Sequence, residues 1–192
     1  MTGTPPESAW DEPAVAKPPQ GYRVEITDGK VIMTPQGISR WKVILRAAPQ
    51  IEAQLAGHGD VLSGVPLDFP SARSGYAPDL AVLAPGAVVN ARGRYEWHDL
   101  EAALDVVPRP DQDEDFVKKL RVYARSGVPL YAVVDPAEAV CTVHSDPQDT
   151  GSYRDAERVP FGNDVYLPLG ERTLVVRTDE FPAEGAAPTP GA

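Results

Sequence analysis

Apolar positions recur along this chain in two periods, and the change of period marks the elements. Tyr22 to Ile26 and Lys30 to Met33 flank Asp28-Gly29, the dipeptide that favours a two-residue hairpin turn. From Ile38 to Leu55 the apolar residues Trp41, Ile44, Leu45, Ala48, Ile51 and Leu55 follow helical spacing. Pro49 is expected to kink or split that helix, and Gly57-His-Gly59 to stop it. Val61 to Phe69 reads as a strand. Tyr76 to Leu83 and Leu130 to Val134 are short Val- and Leu-rich runs flanked by proline, the pattern of buried strands. Between them come a weaker run, Ala102 to Val107, and a segment from Asp113 to Ser126. That segment carries Phe116, Val117, Leu120 and Tyr123 at helical spacing. Ala139 to His144 predicts a further strand, Asp146 to Ser152 a loop, and Val165 to Leu167 with Thr173 to Arg177 a last hairpin. Pro85 to Trp97 reads as a loop. The order is a hairpin, a helix, three strands, a helix and a strand, then more strands.

Two stretches fall outside this pattern. Residues 1–19 are rich in proline with little apolar periodicity, so an extended or disordered arm is expected. Residues 183–192 are small and Pro-rich and are expected to be loose. Residues 20–182 are left as one domain, a size that buries a real core.

Composition narrows the class without choosing the chemistry. Of 192 residues, 42% are hydrophobic and 24% charged, which is ordinary for a soluble globular chain. No apolar run is long enough to span a membrane, and the first residues lack the basic and apolar regions of a signal peptide, so the cytoplasm is the expected location. The single cysteine, Cys141, excludes an internal disulfide and a cysteine-based zinc cage. His58, His98 and His144 lie on unrelated segments with no zinc spacing. There is no nucleophile elbow, no Walker loop and no dinucleotide glycine fingerprint. A formal charge of −10 argues against indiscriminate DNA binding, which depends on Lys and Arg, but not against a local basic groove.

Three residues on the central elements can cooperate chemically: Asp79 on one strand, Asp105 on the next and Lys119 on the helix. Each has an ordinary alternative. Asp79 follows a proline and can cap a turn. Asp105 lies inside an apolar run, which is costly unless it is paired or metal-bound, or else the strand is short and Asp105 is exposed. Lys119 is four residues from Asp115, and spacing alone favours an i,i+4 ion pair on a solvated face.

The motifs carry a resemblance that changes this balance. Pro78-Asp79, an acid on the next strand and a nearby lysine resemble the PD-(D/E)XK nuclease superfamily. More narrowly, Asp105-Val-Val-Pro108, Asp115-Phe-Val-Lys-Lys119-Leu-Arg-Val-Tyr123 and Gly127-Val-Pro-Leu-Tyr131-Ala-Val-Val-Asp-Pro136 resemble the Uma-two family of putative restriction endonucleases. The likeness extends to Tyr22-Arg-Val-Glu25-Ile-Thr-Asp-Gly29-Lys-Val-Ile-Met33-Thr-Pro35 and to Phe181-Pro182.

It implies an α/β, restriction-endonuclease-like αβββαβ core with an N-terminal hairpin and extra C-terminal strands. It also implies a metal-dependent endonuclease acting on DNA. Asp79, Asp105 and the carbonyl of Val106 would bind Mg²⁺ (or Mn²⁺), Lys119 would assist the nucleophile, and Glu25 would be an accessory acid. A homo-oligomer, a dimer first, is the expected assembly. The chain departs from the family in three places. Asp105 stands where glutamate is usual, Pro108-Arg-Pro replaces the usual turn, and Ser39-Arg40-Trp41 occupies the region where a histidine often enters the first helix. These departures motivate an alternative: a weakened or inactive nuclease fold that binds nucleic acid or a protein. Arg40, Lys42 and Arg46 suit either phosphate contact or a solvated face, and Tyr123 and Tyr131 are expected to be core aromatics.

Overall fold

The computed structural model describes residues 20–110 and 113–184; the arm expected over 1–19 and residues 185–192 of the expected tail lie outside them. Strands β1 (Tyr22–Thr27) and β2 (Lys30–Pro35) form the expected antiparallel hairpin. Asp28 and Gly29 both take positive φ, 53° and 76°, as a tight turn between twisted strands requires. Helix α1 runs unbroken from Ile38 to Leu55, through Pro49. The proline leaves the carbonyl of Leu45 without its helical N–H, and Leu45 is 66% exposed, so water can satisfy that carbonyl. The buried face is Val43, Ile44, Ala47, Ile51 and Leu55. Trp41 and Leu45, which the spacing assigned to it, face out.

The stretch expected as one strand over Val61 to Phe69 is two: β3 (Asp60–Leu62) and β4 (Leu67–Phe69), in different sheets. Gly64, at φ 64°, lies between them and donates its N–H to Pro78 O. Strands β5 (Ser74–Tyr76), β6 (Leu80–Leu83) and β7 (Tyr95–Glu96) follow, the last inside the segment read as a loop. Then come β8 (Leu100–Val106), helix α2 (Glu114–Arg125), β9 (Leu130–Asp135), β10 (Val140–Gln148), β11 (Ser152–Pro160), β12 (Asp164–Leu169) and β13 (Arg172–Arg177). The loop expected over Asp146 to Ser152 is therefore shorter, since β10 and β11 pair almost to its tip.

Six strands form the central sheet in the order β11-β10-β9-β8-β6-β3, and only the β8–β9 pair is parallel, because α2 carries the chain across between them. With α1 this is the αβββαβ core. Alternation along β8 sends Ala102, Leu104 and Val106 into a core shared with α1 and the β12–β13 hairpin. Ala103 and Val107 join the opposite core, with Phe116 and Tyr123 of α2 and Leu67, Phe69 and Tyr76 of the second sheet. That sheet, β2-β1-β5-β4-β7, leans against the face that also carries Asp105. Gln50 and Gln54 of α1 each give and take a backbone hydrogen bond along β13, at Arg177 and Val175, so the free edge of that hairpin is closed by helix side chains. Among the described residues no helix is long and apolar enough to cross a membrane.

Candidate active site

The N-terminus of α2 is built by Asp113, whose carboxylate accepts from the backbone N–H groups of Asp115 and Phe116 at 2.9 and 3.0 Å. That is an N-cap, and Glu114 and Asp115 add negative charge to the first turn, where the helix dipole favours it. From this start, helix period turns Phe116, Lys119 and Tyr123 inward together. Lys119 is 5% exposed and lies within the buried face rather than at its edge. Its Nζ is 2.7 Å from Glu25 Oε1 and 2.7 Å from Asp105 Oδ2, and 5.3 and 5.6 Å from the ring centres of Tyr76 and Tyr123. Asp115 pairs instead with Lys118, at 3.7 Å.

Asp105 is fully saturated. Its Oδ1 accepts from Arg23 Nη1 at 2.9 Å and from the Asp79 N–H at 3.1 Å. Its Oδ2 accepts from the Tyr131 hydroxyl at 2.8 Å besides meeting Lys119. Asp79 sits one residue before β6, wholly buried. Its Oδ2 accepts the Val106 N–H at 2.8 Å, and its Oδ1 accepts from Arg23 Nη1 at 2.5 Å and from Arg40 Nε. Glu25, on β1, also accepts from the Ala77 N–H at 3.0 Å. Asp79, Asp105, Lys119 and Glu25 are thus brought together, along with Val106. Arg23, Arg40 and Tyr131 join them.

The ionisation of the cluster follows from these contacts. Burial acts to raise the pKa of Asp105, but Lys119 and Arg23 outweigh it and hold the group below its ordinary value. Burial and the neighbouring Asp105 charge push Asp79 up, against the opposing pull of Arg23 and Arg40. Burial also acts to lower the Arg23 pKa, and the carboxylates of Asp105, Glu25 and Asp79 more than offset it. Burial, then the charge of Asp105, hold Tyr131 well above its ordinary value, so its hydroxyl remains a donor.

A cleft of about 90 Å³ opens beside the cluster, lined among others by Arg23, Glu25, Asp105, Val106, Lys119 and Tyr131. Two carboxylate oxygens, Asp79 Oδ1 and Asp105 Oδ1, converge on one point within 3 Å, which suits a hard cation. In this structure the Arg23 guanidinium holds that point. Among the described residues no three His, Cys, Asp or Glu side chains are arranged to hold a metal, so a divalent ion here would rest on the two aspartates and a backbone carbonyl, with Arg23 displaced.

Arg23 was not among the residues singled out from sequence, although a signal was present. It lies two residues from Glu25 on one strand, hence on the same face, and two charges facing a sheet need partners. Arg40 stood between a phosphate contact and a solvated face; it does neither among the described contacts, and instead binds Asp79. Tyr131 is a core aromatic by burial, and its hydroxyl also anchors Asp105.

Comparison with known proteins agrees with this architecture. Residues 11–177 match the family model described as "Uma2: Putative restriction endonuclease". No curated protein matches the chain. Among solved structures, a putative nuclease belonging to DUF820 from Anabaena variabilis ATCC 29413 superposes with a TM-score of 0.62 at 18% identity, over 82% of this chain and 89% of that one. At that identity the likeness is one of fold.

Proposed function

This chain belongs to the Uma2 family of putative restriction endonucleases, and from that membership we propose that it is a divalent-metal-dependent endonuclease hydrolysing phosphodiester bonds of DNA. The observation that carries the reading is the meeting of Asp79, Asp105 and Lys119 in one side-chain cluster, of which Asp105 and Lys119 also line the cleft while Asp79 is wholly buried. Asp79, Asp105 and the carbonyl of Val106 are the residues that would hold Mg²⁺ or Mn²⁺. Such an ion supplies charge neutralisation at the phosphate and a more acidic water. Lys119 contributes a fixed positive charge beside Asp105, where it can orient the attacking water and hold a phosphate oxygen. Glu25 holds the Lys119 ammonium from the other side and so sets its direction. Tyr131 fixes the Asp105 carboxylate from beneath. The cytoplasm is the compartment, and a dimer the assembly, that this reading assumes.

The test is nicking of supercoiled plasmid by purified protein with Mg²⁺ or Mn²⁺, against the same protein in chelator. Asp79→Asn should abolish metal-dependent nicking while the circular dichroism spectrum is retained. Nicking that survives this substitution would overturn the assignment. A second reading, a nuclease fold that has lost catalysis and binds nucleic acid or a protein, has one observation in its favour. The cations Arg23, Arg40 and Lys119 already balance the carboxylates of Asp79, Asp105 and Glu25. Calorimetric titration with Mn²⁺ separates the two readings, since the second requires no metal binding at Asp105.

A further inference from the structure

Arginine normally meets a carboxylate through two nitrogens of its planar fork. Arg23 does not. A single nitrogen, Nη1, reaches both Asp79 Oδ1 at 2.5 Å and Asp105 Oδ1 at 2.9 Å, so it acts between them as a point cation. Its Nε is buried without a hydrogen-bond partner; the carboxylate oxygen Oε2 of Glu25 is 3.5 Å away. A buried donor left unpaired costs free energy, so this guanidinium is held by charge more than by fit. Asp79 and Asp105, by contrast, each keep a second anchor that does not involve Arg23: the Val106 N–H on one, Tyr131 and Lys119 on the other. Each carboxylate therefore has an anchor that does not depend on Arg23.

We propose that Arg23 is a displaceable internal cation: its Nη1 occupies the point at which Asp79 and Asp105 would hold a divalent ion, and the ion enters only by expelling it. This rests on the reading of those two aspartates as metal ligands. Both cations cannot share the point, for lack of space and because like charges in a buried site repel strongly. Arg23 therefore keeps the site neutral when no metal is bound, weakens metal affinity, and makes occupancy depend on the free metal concentration. Arg40 differs, because it touches Asp79 alone and lies outside the bridging position.

The experiment is calorimetric titration of the full chain with Mn²⁺, in the wild type, Arg23→Met and Arg40→Gln. Arg23→Met should bind at least about tenfold more tightly than wild type, and Arg40→Gln should change affinity less. In Arg23→Ala, excess methylguanidinium should compete with Mn²⁺, and in the wild type it should not. If Arg23→Met folds poorly without metal, Mn²⁺ should raise its melting temperature more than that of the wild type, which supports the proposal equally. Equal or weaker Mn²⁺ affinity in Arg23→Met, with the wild type binding normally, overturns the proposal and leaves the aspartates as ligands. An absence of binding in every variant overturns the metal reading itself, and this proposal with it.

Discussion

A carboxylate offers about four lone-pair positions, and at Asp105 all four are taken: Arg23, the Asp79 N–H, Tyr131 and Lys119. The family's usual glutamate at this place is one methylene longer. Asp105 is 1% exposed, and both its oxygens are already engaged by four partners, so a longer side chain must displace them. Asp105→Glu should therefore destabilise the fold by about 1–3 kcal/mol, the usual penalty for overpacking a closed core. Urea denaturation reads this as a lower midpoint at constant slope; unchanged stability would mean that the cluster can open to admit the longer acid. The same residues show how far the sequence was legible. That Asp105 needed a partner followed from an acid inside an apolar run. Which partners it has did not follow, because Arg23 and Tyr131 come from strands 82 and 26 residues away in sequence. Nothing local fixes those meetings: the parallel pairing of β8 with β9 brings Tyr131, and the packing of the N-terminal hairpin against the central sheet brings Arg23.

Among the elements, the most legible were α2, with one buried face in helical period, and β9, a continuous apolar run buried on both faces; both fall close to where the pattern predicts. β11 was missed because it is mostly exposed along Ser152–Pro160, so only Val159 and the half-buried Tyr153, near its two ends, meet the cores. The strand read over Val61 to Phe69 was one apolar run whose division depends on a glycine turn. On α1, period alone could not tell Trp41 and Leu45 from the buried positions, since a wide apolar stripe has no marked edge. α2 also ties an element to the site. Its start depends on the Asp113 carboxylate, and Lys119 lies less than two turns further on. Asp113→Ala should cost about 1 kcal/mol, or a fall of about 2–4 °C in melting temperature for a chain of this size. Nicking should fall by more than the loss of folded protein explains, because fraying of the first turn loosens Lys119. A melting shift with unchanged specific activity would show that Lys119 is held by its ion pairs rather than by the helix.

At the scale of the whole molecule, a net charge of −10 opposes nucleic acid, yet the cations are not evenly spread. Lys118, Arg121 and Arg125 lie at i, i+3 and i+7 on α2, so they share its outer side, about 100° around the helix from Lys119. With Arg73, from the connection between β4 and β5, they line a cleft of about 470 Å³ that includes one acid, Asp28. All four are exposed, and among the described residues none of the three arginines has a carboxylate within ion-pair distance. Gly151 makes room for two of them: a Cβ there would stand 2.6 Å from Arg121 Cγ and 2.9 Å from Arg125 Nε. On the proposed nuclease reading, the three outward cations of this helix, with Arg73, are the candidates for phosphate contact. Each cation that neutralises a phosphate contributes about 0.9 to the slope of log K against log salt. Replacing Arg73, Arg121 and Arg125 together by glutamine should therefore weaken duplex binding at low salt and flatten that slope by about 2–3. Fluorescence anisotropy across a salt series, in chelator to prevent cleavage, measures both quantities. Mn²⁺ affinity should not change, since these side chains lie outside the carboxylate cluster. An unaltered slope would mean that the duplex is held on another face, and that the acidic bulk of the molecule is overcome elsewhere.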